Sequence, residues 1–401
     1  MKIGIRKIIA VLLLLLPVSV WAGVTTITLV SDPGDYIGQG ASYVYTNADA
    51  LITTSNASNY FHISVDGNEN WRGDFAIPNT YTELLPGSYA NLTRYPFDDP
   101  AIGGLSWSGE GRGCNTLTGW IVINSATYVA GALTELDMQF EQHCEGVVAA
   151  LHGDIKWYAD DTTMPPGPVL PIPEALWSPD PSLLPASGNF VYLESDTGDY
   201  IGGGATYSYT EFTDTISVSA VSNLLSVSVG GWHANFKAMN FLTALEPGYY
   251  GDLQRYPFNN PVKGGLNWSG NGRGCNTLTG WFAVDNVRYV DTVLAEITLR
   301  FEQHCEGGVP ALHGIVKWMN PDIPPAPPVL IASTTRQGAW LITSLNWTTQ
   351  AAGVDIYYNG QLVDSFDQQT TMATYRHRKK YSQVYSVCNT GTQDCAQYIA
   401  N

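Results

Sequence analysis

Four of the seven histidines stand in two matched pairs, His143 with His152 and His304 with His313, and Glu141 or Glu302 lies two residues before the first imidazole of each. Residues 145–150 form a short connection between two stretches of alternating character. In a hairpin register whose paired positions sum to 295, His143 faces His152 and Glu141 faces Asp154. Two imidazoles and a carboxylate form a ligand set for a divalent transition metal. The competing reading is a pair of surface or hydrogen-bonded histidines, and Ile315 stands in the second copy where Asp154 stands in the first. A second prospect is Ca²⁺ at Asp32 and Asp35, and at Asp196 and Asp199, which flank Gly turns with backbone carbonyls nearby. That oxygen-rich setting suits the ion, although such turns also occur without metal. No other cofactor is implied.

A third prospect is aromatic. Trp107, Arg112 and Asn115 cluster in a Gly-rich segment, and Trp268, Arg273 and Asn276 repeat them. An exposed indole stacks on a sugar ring while neighbouring polar groups meet its hydroxyls, so these six residues are the candidate ligand-binding set. Other chemistries lack their signatures. The Gly109–Gly113 run has neither the spacing nor the following helix of a phosphate loop. His143-Cys144-Glu145 is not followed by the Pro-Cys-x-x-Cys of zinc deaminases. No Gly-x-Ser-x-Gly or His-Glu-x-x-His occurs. No catalytic residue is assigned. A glycoside hydrolase would have to use Glu141 with Glu145, and Glu302 with Glu306, as acid and base.

The elements that position these residues come in duplicate. Arg94–Trp120 recurs as Arg255–Trp281 with 21 of 27 positions identical, and Phe140–Trp157 recurs as Phe301–Trp318 with 14 of 18. Ser31–Gly40 recurs as Ser195–Gly204. Within each copy the period is two: Leu136, Met138, Phe140 and Cys144 point one way, while Asp137, Gln139, Glu141 and His143 point the other. Half-buried antiparallel strands follow. Six cysteines, in an exported chain, pair as Cys114–Cys144, Cys275–Cys305 and Cys388–Cys395, one staple per domain.

The expected organisation is a signal peptide (1–22), a β-domain (23–160), a Pro-rich linker (161–188), a second β-domain (189–320), a short Pro-rich linker (321–328) and a terminal domain (329–401). The first segment has Lys2, Arg6 and Lys7 before an apolar run, with Val20 and Ala22 at a cleavage site. The linkers carry eight and five prolines and read as spacers that hold domains apart. The fold class is all-β: two tandem antiparallel β-sandwich or jelly-roll-like domains followed by a small sandwich.

The repeat, with its GRGCNTLTG and FEQHCEG blocks, resembles an uncharacterised family of bacterial secreted proteins. The C-terminal LNW, VDIYYNG and YSVC segments resemble the fibronectin type III-like modules appended to such proteins, which implies a spacer or docking role. With a formal charge of −17, the chain does not suit nucleic acid, and no later stretch is long and apolar enough to span a bilayer. The expected function is a secreted, non-catalytic binding or adhesion protein. It would act outside the cell, in the periplasm or at the cell surface, on a polysaccharide or cell-surface component. The alternative is a structural component of an envelope or matrix.

Overall fold

The computed structural model describes residues 23–185, 187–351, 353–378 and 383–400. The signal segment falls outside the described residues. The regular secondary structure of the described chain is almost all β-strand, and no helix among its residues is long and apolar enough to cross a membrane.

The first repeat supplies β1 (Thr26–Ser31), β2 (Ser42–Thr46), β3 (Leu51–Ala57), β4 (Tyr60–Asp66), β5 (Asn70–Ala76), β6 (Gly87–Arg94), β7 (Gly104–Gly109), β8 (Leu117–Val129), β9 (Ala132–Cys144) and β10 (Leu151–Tyr158). They form one ten-stranded, barrel-like sheet in the order β2-β1-β10-β9-β8-β6-β7-β5-β4-β3. The second repeat supplies β11 (Phe190–Ser195), β12 (Thr206–Thr210), β13 (Ser217–Val221), β14 (Leu224–Val229), β15 (Trp232–Lys237), β16 (Gly248–Arg255), β17 (Gly265–Gly270), β18 (Leu278–Val290), β19 (Val293–Cys305) and β20 (Ala311–Met319), in the same order. All pairings are antiparallel except β6 with β7 and β16 with β17, which run parallel over two residue pairs each.

Alternation decides what each sheet buries. In β9, Leu136, Met138, Phe140, Gln142 and Cys144 face inward. The aromatic core of the first repeat includes Phe61, Trp71, Phe75, Trp107 and Phe140; Trp232, Phe236, Tyr250, Trp268, Phe282 and Phe301 fill the second. Gln142 is the polar member of its row, and the parallel ladder explains it. β7 leaves β6 after Leu105, so the backbone of Trp107 has no strand partner on that side. Gln142 Oε1 accepts from Trp107 N–H at 2.7 Å, and its Nε2 donates to Trp107 O at 2.9 Å. Gln303 does the same for Trp268. A side chain thus replaces a strand partner, and no buried backbone group at that residue is stranded.

The three disulfides are Cys114–Cys144, Cys275–Cys305 and Cys388–Cys395. The first two close 30-residue separations, which stabilises by about 3–4 kcal/mol in the chain-entropy model.

By its internal contacts the chain falls into two compact units, one ending at Met164 and the other running on from Pro165. This corrects the spacer reading of 161–188: from Pro165 onward the segment belongs to the second unit. Val169 exchanges two backbone hydrogen bonds with Tyr249 of β16, at 2.9 and 3.0 Å. Trp177 and Leu184 then pack on Phe190, Tyr192 and Ile315 of the outer sheet face. The second proline segment is held too: Arg288 donates to Pro324 O, and Asn389 to Pro325 O and Ala326 O.

The terminal region forms two sheets. β21 (Val329–Gln337), β22 (Trp340–Thr348) and β25 (Met372–Arg378) make one, in the order β21-β22-β25. β23 (Gly353–Tyr358), β24 (Gln361–Asp367), β26 (Gln383–Asn389) and β27 (Cys395–Ala400) make the other, in the order β24-β23-β26-β27. Leu345, Trp347, Val354, Ile356, Tyr385 and Val387 form their shared core.

Candidate functional site

The outward row of β8, β9 and β10 assembles the site. In the first repeat β8 places Trp120 opposite Glu141, and β10 places His152 opposite Glu141 as well. The observed register therefore pairs positions two residues away from the expected one. His152 faces Glu141, not His143, and Asp154 faces Gln139 and accepts from its amide at 3.0 Å. The cause lies in the connection: Glu145 and Gly146 take up left-handed backbone (φ 51° and 74°) directly after β9, which fixes the turn and shifts the pairing. The face is the expected one, because a shift of two residues preserves side-chain direction.

The result is a chain of contacts and not a ring of converging ligands. His143 Nε2 lies 2.9 Å from Glu141 Oε1, His152 Nδ1 lies 3.2 Å from Glu141 Oε2, and His152 Nε2 lies 3.5 Å from Asp32 Oδ1. The second repeat reproduces it. His304 Nε2 lies 3.1 Å from Glu302 Oε1, His313 Nδ1 3.2 Å from Glu302 Oε2, and His313 Nε2 3.5 Å from Asp196 Oδ1. One glutamate separates the two imidazoles in each copy. Among the described residues no group of three or more His, Cys, Asp or Glu is arranged to hold a metal ion.

The aspartates divide. Asp32 and Asp196 reach the histidines, and each also accepts a backbone N–H, from Ala150 and Ala311. Asp35 and Asp199 are buried in their own turns. Asp35 accepts from Ser31 Oγ at 2.8 Å and from Gly38 N–H at 2.7 Å, and Asp199 makes the same bonds with Ser195 and Gly202. Each carboxylate of the turn thus has its own hydrogen-bond partners.

Electrostatics follows from the contacts. Burial raises the Glu141 pKa, but hydrogen bonds from His143 and Trp120 and the charge of His152 outweigh it, and the carboxyl is held below its ordinary value. At Glu302 the close contact of His313 Nδ1 is the largest influence and is opposed by burial; with His304 it holds the carboxyl at about 2. Burial pushes His313 down, yet Glu302 and Asp196 more than offset that and keep it above its ordinary value.

The copies differ in what lies over the row. His152 is 41% exposed and His313 only 12%, because the Trp177 ring stacks on His313 at 5.1 Å and 18°. Arg300 anchors that strap, donating to Trp177 O and Ser178 Oγ while forming a two-bond ion pair with Asp285. In the first repeat the positions of Phe190, Tyr192, Ile315 and Arg300 are Thr26, Thr28, Asp154 and Gln139, and none of these four is buried.

The Gly-rich set requires correction. Trp107 and Trp268 are fully buried, stacked on Phe140 and Phe301 at 5.3 and 4.9 Å. They are not available to a ligand, because they face inward within β7 and β17 and do not stand in a turn. Arg112 donates from Nε to Ile37 O at 2.7 Å and lies over the Trp71 ring; Arg273 lies likewise over Trp232. Asn115 and Asn276 are exposed, but their N–H groups donate to Glu145 and Glu306 at 2.5 Å. This loop is scaffold. The functional candidates that motif spacing does not single out are Trp120 and Trp281, whose outward position is legible from alternation along β8 and β18. Comparison with protein-family models, with curated proteins and with solved structures gave no match for this chain.

Proposed function

We propose that this chain is a secreted, non-catalytic binding protein that holds a polysaccharide or other cell-surface component on the outer sheet face of its first repeat. One observation carries the reading. That face sets a half-exposed Trp120 among Gln139, Glu141, His143, His152 and Asp154, and among the described residues no segment of the first repeat lies over it as Trp177 lies over the second. An indole face beside fixed donors and acceptors is what sugar hydroxyls require.

Non-catalytic binding is supported by the state of the carboxylates. A glycosidase needs one carboxyl kept protonated by its surroundings, whereas Glu141 and Glu302 are held ionised between imidazoles. Glu145 and Glu306 accept from the N–H groups of residues 115–116 and 276–277. In the terminal region the first, second and fifth strands oppose the fourth, third, sixth and seventh, which supports the fibronectin type III-like reading and a spacer role. Export through residues 1–22 and kinship with bacterial secreted proteins belong to the same proposal.

A glycan array and pull-down on insoluble polysaccharides, with the full chain and with or without Ca²⁺, test it. Retention should fall about tenfold in Trp120→Ala, the equivalent of ~1.4 kcal/mol, with the melting temperature of the first repeat kept. Trp281→Ala should retain as the parent does. Retention that Trp120→Ala leaves unchanged, or no retained glycan at all, overturns the reading.

A further inference from the structure

One strand edge is closed in the second repeat and open in the first. β16 pairs with β18 on one side but with β17 only at Gln254 and Arg255, so its first residues have a free edge. The chain fills it with its own extended segment, Val169 bonding Tyr249 through both backbone groups. Pro168 rests so close to Gly248 that a Cβ there would come within 2.7 Å of the proline ring.

β6 repeats this geometry. It pairs with β7 only at Thr93 and Arg94, and its irregularity between Tyr89 and Leu92 matches that between Tyr250 and Leu253. Tyr249 spends both backbone groups on Val169, so its pairing with Ala283 is a non-hydrogen-bonded one. Ser88, opposite Val122, occupies the same place. Ser88 is exposed, and among the described residues nothing pairs with its N–H or C=O. Gly87 adds an independent sign. Its φ is not positive, and the nearest atom to an added Cβ is Tyr89 Oη at 3.5 Å, so the repeat's own fold does not demand glycine. Glycine within a strand weakens it and marks a place where another backbone approaches closely. Tyr81, 39% exposed, meets Tyr89 edge-on at 6.3 Å where the second repeat has Leu242, and tyrosine faces are where proline rings pack.

We infer that the β6 edge at Gly87–Tyr89 is a docking slot for an extended, proline-flanked segment of another protein, which adds to the sheet as Pro168-Val169-Leu170-Pro171 adds to β16. The chain's own segment is engaged intramolecularly at high effective concentration, so it is not the occupant. Backbone hydrogen bonds supply affinity, and the flanking prolines select against other extended chains.

The probe is a labelled peptide of sequence MPPGPVLP, residues 164–171, titrated against the full chain by fluorescence anisotropy. Saturable binding to one site is expected. Ser88→Pro, which removes the N–H, should weaken it about tenfold or more, and Ser88→Ala should not. Gly87→Val, which blocks the approach without touching a hydrogen bond, provides a second reading should Ser88→Pro perturb folding. Absence of saturation, or parental binding in both blocking variants, overturns the inference. So does sedimentation showing that the edge joins two copies of this chain and that the peptide does not compete.

Discussion

The two repeats share a core and differ on one face. Inside, the Trp107–Phe140 stack, the disulfide and the glutamine bridge of the first copy have counterparts in the second, where Tyr250 and Phe282 add a stack of their own. Outside, Thr26, Thr28, Gln139 and Asp154 of the first copy become Phe190, Tyr192, Arg300 and Ile315 of the second. Those four positions lie together on adjacent strands, and in the second copy the strap from Val169 to Leu184 lies over them. The substitutions therefore record a covering segment. Once a surface is removed from water, apolar residues replace polar ones because burial now stabilises, while an uncovered face keeps the side chains that water or a ligand can meet.

The largest expected effect tests the shared half of the comparison. Gln142→Leu and Gln303→Leu each leave a buried N–H and C=O without a partner, and each should cost about 2–4 kcal/mol in denaturant unfolding. Equal losses uphold the matched cores; a loss in only one repeat breaks them. Next comes the half that differs. Trp177→Ala removes the stack on His313 and the cover over Tyr192 and Ile315, and should destabilise the second repeat by about 2–3 kcal/mol. Amide exchange should speed up in β11 and β20 and stay unchanged in β1 and β10.

The smallest effect is in pH. Glu302 is depressed to about 2, so its contribution is complete above its ordinary value near 4.5 and disappears as pH falls through the folded value. Its side chain is 23% exposed, and screening by water reduces the contribution to about 1–2 kcal/mol. His313 is raised, so its contribution is complete below its ordinary value and is lost as pH rises through the folded one. The second repeat should therefore melt highest between about pH 4.5 and 6.5. Glu302→Gln should flatten the acid limb of a plot of melting temperature against pH, and His313→Gln the alkaline limb. Glu141 is also held below its ordinary value, so the first repeat should share the acid limb, and a first repeat without it would break the likeness of the two glutamates.

Alternation made the faces of β9 and β10 legible, and the repeat made the disulfide pairing legible, because both depend on residue type at fixed spacing. Register was not legible. It hangs on the left-handed backbone at Glu145 and Gly146, which leaves no mark in the pattern of apolar residues. Trp107 was misplaced because Gly109 to Gly113 suggested a turn beginning earlier than it does. Gln142 went unread because a polar residue in an inward row looks like an exception, whereas here it completes the hydrogen bonding of β7. The strap was half legible: eight prolines between 161 and 188 announce an extended chain but not what it lies upon. Phe190, Tyr192 and Ile315 held that information, in the comparison between copies.

The Gly-rich segment from Gly109 to Asn115 has one more consequence. Its composition marks it as the first place a protease would nick. Cleavage requires a stretch of chain to lift from the surface and lie extended in the enzyme. Here Gly109 and Arg112 bond to each other through both backbone groups, the guanidinium is bonded to Ile37 O, Cys114 is stapled to Cys144, and Asn115 is tied to Glu145. To lift that loop is to open the end of the barrel, so the most glycine-rich stretch of each repeat should be among the last to be cut.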